Sequence, residues 1–218
     1  FLGAFIQQNA LLYGPEHLGI TREQSGYLFS IAAIGIGLGA LIAGRLSGRN
    51  IEFGLVPIGA AGLTIACILF GFIEATFLKA LPLMLLAGVS SGMFVVPLNA
   101  FVQYQSPPEQ RGQILACQSI LSFLGVALSA ALLYLLNEQL KLSAAGCFVV
   151  VGLLTGVLTV FVVYKLPDFL VRLVAVTLAK TVYRMRVYGD EHLPTRGPAL
   201  IVPNHVTRVD AVLLCVTT

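Results

Sequence analysis

Phe77-Leu78-Lys79-Ala80-Leu81-Pro82-Leu83-Met84-Leu85-Leu86-Ala87-Gly88-Val89-Ser90-Ser91-Gly92-Met93-Phe94-Val95-Val96-Pro97-Leu98-Asn99-Ala100-Phe101-Val102 decides the fold class. After Lys79 no charged residue interrupts it, and it exceeds the roughly 20 apolar residues that a helix needs to cross a bilayer. Working outward, four more stretches meet that length: Gly26–Gly44, Phe53–Ile73, Ile114–Leu136 and Ala144–Tyr164. Phe1–Tyr13 is apolar but too short to span, and it carries Gln7, Gln8 and Asn9. It has no basic start or cleavage site of a signal peptide and reads as the tail of a further helix, cut by the start of the chain. Composition agrees: hydrophobic residues make up 57% and charged residues 11%, with a mean hydropathy of +0.91. Soluble domains carry about 25% charged residues. The expected architecture over residues 1–166 is therefore an all-α polytopic membrane bundle of five full spans and one partial span.

Loop charge orients the spans, because cytoplasmic loops are enriched in Lys and Arg. Arg45, Arg49, Arg111, Lys165, Arg172 and Lys180 fall on one side, and Arg22, Lys79 and Lys141 on the other. The richer side is expected to be cytoplasmic, which places the C-terminal segment there too. No full span has a central acidic, basic or histidine residue, as an ion-coupled pump would usually show. If these spans carry a substrate, its coupling residues lie elsewhere or its movement is facilitated. Polar groups in lipid should face a cavity or another helix. Gln7, Asn9, Asn99 and Gln118 are thus candidates for lining a cavity within the membrane, one that would serve transport if these spans carry a substrate, with Gln103 and Ser122 near the latter two, and Pro97 is placed to open the backbone beside Asn99. Interhelical hydrogen bonds account for the same residues equally simply. Gly35/Gly39 and Gly88/Gly92 are G-x-x-x-G pairs, suited to static close packing of helices or to a gating surface. Gly35-Ile36-Gly37-Leu38-Gly39 lies inside a span with no preceding strand, which excludes a dinucleotide loop.

Beyond Pro167 the pattern changes. Phe169, Leu170, Leu173, Val174, Leu178, Val182 and Met185 alternate at helical spacing with Arg172, Lys180, Arg184 and Arg186. This basic amphipathic helix over 167–186 suits either the lipid headgroup plane or the face of a folded domain. After the short apolar run Ala199–Val202 comes Asn204-His205-Val206-Thr207-Arg208-Val209-Asp210. A neutral imidazole takes a proton from a hydroxyl near pH 7, and a carboxylate on its other nitrogen fixes the tautomer. With no serine in the arrangement, the substrate must bring the nucleophilic hydroxyl. Spacing alone also fits a surface histidine with Asp210 as a helix cap.

The flanks of that pair carry a resemblance. Val187-Tyr188-Gly189-Asp190-Glu191-His192-Leu193-Pro194 followed by Gly197-Pro198 and Asn204-His205 through Asp210 resembles the opening of the glycerolipid acyltransferase domain, an α/β fold. The resemblance implies that His205 is the base and Asp210 its orienting partner, supported by Asn204 and Thr207. It implies a lysophospholipid or lysophosphatidic acid acceptor and an acyl-acyl carrier protein or acyl-coenzyme A donor. Arg208 stands where the family often has an aromatic residue. The later family blocks that grip the glycerol phosphate are absent from the 218 residues, so residues 187–218 alone are expected to be inactive.

Two loops resemble those of the major facilitator superfamily. Gly44-Arg45-Leu46-Ser47-Gly48-Arg49-Asn50 is similar to a degenerate G-x-L-x-D-R-x-G-R loop, and Ser106-Pro107-Pro108-Glu109-Gln110-Arg111-Gly112 to P-x-x-x-R-G. The implied architecture is the C-terminal half of a facilitator transporter joined to the start of an acyltransferase. It resembles bacterial inner-membrane fusions that bring lysophospholipid inward and reacylate it. A membrane-anchored acyltransferase, or a facilitator for other small molecules, fits the same spans. No bound cofactor or metal is expected, since Cys67, Cys117, Cys147 and Cys215 have no ligand spacing. The net charge of +3 gives no nucleic-acid stripe. The expected partners are membrane lipids, a lysophospholipid and the acyl carrier.

Overall fold

The computed structural model describes residues 1–47, 51–72 and 76–165. Six helices follow one another: α1 (Leu2–Tyr13), α2 (Gly26–Ser47), α3 (Leu55–Phe72), α4 (Phe77–Gln105), α5 (Arg111–Tyr134) and α6 (Ala144–Lys165). α1 and α5 each run on into a wider π-type turn, Gly14–Leu18 and Leu135–Gln139. There is no strand among the described residues. In lipid, a helix satisfies every backbone group internally, so apolar segments of this length have no other single-chain solution. Five of the helices are long and apolar enough to cross a membrane. Their positions match the five expected spans, and α1, at about 18 Å, covers only part of a bilayer.

Pro82 and Pro97 lie inside α4, which is continuous over its 29 residues. The expected break at Pro97 does not occur. Pro97 is itself buried in the bundle, where neighbouring helices can re-satisfy a freed carbonyl.

α4 packs on α2 and α3, α3 on α6, and α1 on α5 and α6. Exchanging the first three helices for the last three leaves this list of pairs unchanged, the pairing that an internal repeat of three helices produces. The main core gathers Ala10 and Tyr13 from α1, Leu63 and Phe70 from α3, Met84 from α4 and Phe148 from α6. Phe70 and Phe148 stack with centroids 4.8 Å apart, and Tyr13 meets both edge-on at 5.3 and 5.5 Å.

The α2/α4 seam explains the glycine pairs. Gly35 and Gly39 face Gly88 and Gly92, so backbone lies directly on backbone. A Cβ at Gly35 would stand 2.7 Å from the Leu85 carbonyl oxygen, and one at Gly92 2.5 Å from that of Ile36. At Gly39 and Gly88 the intruding atom would meet the Val89 and Ala32 carbonyls. On the other flank of α4, a Cβ at Gly59 of α3 would come within 2.6 Å of the Ser90 carbonyl. These contacts favour fixed packing over sliding, since a helix pressed so closely cannot move past its neighbour without separating.

Candidate functional site

α4 and α5 meet on different terms. They are joined by the short turn Ser106–Gln110, where Gln110 N–H donates to the Pro107 carbonyl at 3.0 Å and Arg111 reaches the Ser106 carbonyl at 3.5 Å. Past that turn they diverge, leaving an open cleft of about 400 Å3. Its walls carry Asn99, Gln103, Gln118, Ser119, Ser122 and Phe123. Among the described residues, none of its lining groups is charged.

Among the described residues, one hydrogen bond spans the cleft: Gln118 Nε2 donates to Asn99 Oδ1 at 2.7 Å. The structure therefore brings together two of the residues singled out in the sequence. Gln118 Oε1 is shielded from solvent and accepts no hydrogen bond. A shielded acceptor without a donor costs about 1–3 kcal/mol, so such an atom calls for an explanation. Ser119 and Ser122 turn their hydroxyl protons back onto α5, to the carbonyls of Leu115 (3.0 Å) and Gln118 (2.9 Å).

The remaining cavity candidates lie elsewhere. Gln7 is exposed on α1. Asn9 is fully buried and donates through Nδ2 to the Ala144 carbonyl at 2.8 Å, leaving its Oδ1 unpartnered. It ties α1 to the start of α6 and does not line the α4/α5 cleft. Gln8 accepts from Ser129 Oγ at 3.3 Å, linking α1 to α5. His205, Asp210, Asn204 and Thr207 lie outside the described residues, as do the helix expected over 167–186 and the end of the loop Gly44–Asn50.

Reading along the sequence missed a clasp at the opposite end of the bundle. Glu16 Oε2 accepts the Ala144 N–H at 3.0 Å, capping α6 from 128 residues away. Tyr13 donates to the Phe70 carbonyl at 3.1 Å and stacks on His17 at 4.9 Å. A Pro-Glu pair just after an apolar segment is the local sign that a carboxylate is available at a helix end. Its partner could not be named from spacing.

The cleft has a definite depth. Asn99 precedes the end of α4, and Gln118 follows the start of α5, by two turns or slightly less, about 10 Å along the helix axes. Alternation of the spans puts that end of the bundle at the membrane face where α6 finishes at Lys165. Arg45 and Arg111 lie at the same face.

Residues 1–183 match the family model described as Major Facilitator Superfamily. The chain belongs to the major facilitator superfamily. Residues 184–218 match a second model, described as Acyltransferase. A facilitator segment is thus followed directly by an acyltransferase segment in a multi-pass membrane protein. The facilitator match includes most of the stretch expected to form the amphipathic helix. Among curated proteins, the chain is similar to lysophospholipid transporter LplT of Klebsiella pneumoniae subsp. pneumoniae, with 39% identity over 106 residues, 47% of this chain and 26% of that protein. LplT of Escherichia fergusonii is 40% identical over 95 residues, 43% of this chain and 23% of that protein. The chain spans about a quarter of the length of the curated relatives it matches. No solved structure matches it.

Proposed function

We propose that the protein carrying this chain moves lysophospholipid across the bacterial inner membrane and reacylates it on the cytoplasmic side. The observation that carries the reading is the succession, in one chain, of a facilitator bundle and an acyltransferase segment whose match begins 19 residues after α6 ends. Similarity to the lysophospholipid transporters supports the substrate. The α4/α5 cleft supports it too, because it combines amide and hydroxyl groups with an apolar wall near the face at which the chain continues. Residues 1–166 then form the transport unit, 167–186 a helix at the membrane surface, and 187–218 the start of the enzyme.

The chemistry proposed for His205 and Asp210 is acyl transfer to an alcohol. His205 takes the proton of the lysolipid hydroxyl as the oxygen attacks the thioester carbonyl of acyl-acyl carrier protein or acyl-coenzyme A. Collapse of the tetrahedral intermediate breaks the carbon–sulfur bond, and the imidazolium returns the proton to the leaving thiolate. Asp210 stabilises the imidazolium in between. The acyl chain supplies the second tail, and the two-chain product stays in the inner leaflet.

The test uses the complete protein in proteoliposomes. Inward movement of a fluorescent lysophospholipid is expected, and His205→Ala should abolish acyl transfer while leaving movement intact. Acylation without any movement by the wild type would reduce the spans to an anchor, and acylation retained by His205→Ala would remove the base assignment.

A further inference from the structure

We propose that Gln118 selects single-tailed lipids by accepting a hydrogen bond from the free glycerol hydroxyl that a two-chain phospholipid lacks. This rests on the lysophospholipid reading above and adds to it the atom that makes the distinction. Gln118 Nε2 is committed to Asn99 at 2.7 Å, which leaves Oε1 as the free end of the amide. A carbonyl oxygen can only accept, so its partner must be a donor. The two nearby serines do not provide one, because their protons are held by carbonyls of α5, and no other described group, the amides of Asn99 and Gln103 included, donates to it.

The donor is therefore expected from a ligand, and the cleft's chemistry narrows the choice. Phosphate and ester oxygens only accept, so neither satisfies Oε1. A clamp for a charged headgroup would call for opposite charges, and none lines the cleft among the described residues. A hydroxyl is the donor that suits an uncharged wall of amides and serines. In a lysophospholipid that hydroxyl sits on the glycerol, next to the single acyl chain. Phe123 and Val126 continue the cleft with apolar surface for that chain. α4 and α5 are held across the cleft by little besides the Asn99–Gln118 bond, so the amide can turn toward a ligand without repacking the core. Esterifying the hydroxyl destroys the donor. The acylated product then loses its hold on the site, which gives the transport step a direction.

A site built to hydrogen-bond a hydroxyl discriminates against the analogue that lacks it. The experiment compares movement of a 1-acyl-2-hydroxy glycerophospholipid with that of its 2-deoxy counterpart, using the complete protein in proteoliposomes. The wild type should move the hydroxy lipid about tenfold faster, the weight of one hydrogen bond. Gln118→Met keeps the length of the side chain without the acceptor. It should abolish the preference, bringing the ratio of hydroxy to deoxy rates from about ten to about one. Because Gln118→Met also removes the bond to Asn99, the control is Asn99→Leu, which breaks that bond, leaves Oε1 in place and should keep the preference. If the preference survives in Gln118→Met, or is lost equally in Asn99→Leu, the assignment to Gln118 Oε1 is overturned while lysolipid transport stands. If the wild type moves neither lipid, both readings fall together.

Discussion

α4 has one partner it cannot leave and one it barely holds. Against α2, four glycines bring the two backbones into contact over two turns, and there is no room for a methyl group. Against α5, among the described residues, a single amide pair bridges a cleft lined by amides and hydroxyls beside Leu115, Phe123 and Val126. Both seams contain small or polar residues, and a hydropathy profile shows them as similar dips in apolar spans. The difference is physical. Glycine removes the side chain so that dispersion and backbone contacts act at short range, and nothing else can enter. Amides and hydroxyls keep hydrogen-bonding capacity that a second molecule can use. α2, α3 and α4 are therefore packed backbone to backbone, whereas α5 meets α4 over far less surface.

The contrast can be broken most severely at the glycine seam. Gly39→Leu should abolish recovery of folded protein from detergent. The smaller change Gly39→Ala should cost about 3 kcal/mol, the upper end for overpacking, because the obstacle is the Val89 backbone and not a movable side chain. Thermal unfolding in detergent measures it, and a Gly39→Ala protein as stable as the wild type would show that the seam can open. The next largest effect belongs to the cleft. With Cys67, Cys117, Cys147 and Cys215 replaced by serine or alanine, cysteines at positions 99 and 118 joined by a flexible dithiol-reactive linker should stop lipid movement. Cleaving the linker should restore it. Undiminished movement in the cross-linked protein would mean that α4 and α5 need not part.

A smaller effect is expected from Asn99→Leu. It should lower stability by about 1 kcal/mol, the scale of one interhelical hydrogen bond in a membrane protein. A loss as large as that of Gly39→Ala would place the amide pair in the fixed core. Ser119→Ala should be smaller still and near neutral, since its hydroxyl bonds only to its own helix. The clasp at the far end offers a reference outside both seams. Glu16→Ala should cost about 1 kcal/mol by uncapping α6, read by the same melt, with lipid selectivity unaffected.

Much of this was legible along the chain. Spans such as Phe77–Val102 declare themselves because the bilayer leaves a long apolar segment little choice but a helix. The glycine pairs announced close packing, and Asn99 and Gln118 stood out as polar groups that lipid would not tolerate unpaired. His205 and Asp210 form a pairing that would suit acyl transfer, and they lie outside the described residues. Gln7, Asn9, Asn99 and Gln118 looked alike in sequence because each is an amide in an apolar setting.

Tertiary structure alone separated them. Asn9 bonds to a carbonyl 135 residues away, Gln118 to a side chain 19 residues away across a cleft, and Gln7 lies exposed on α1. Amide chemistry is the same at all four positions, and only the path of neighbouring helices decides what each one meets. The same holds for Glu16, whose role depends on where α6 begins in space. Local sequence determined that the helices form and how long they are, because that depends on hydropathy and on hydrogen bonds within each segment. Which seam is sealed and which stays open depends on contacts between distant segments, and those exist only once the bundle has assembled.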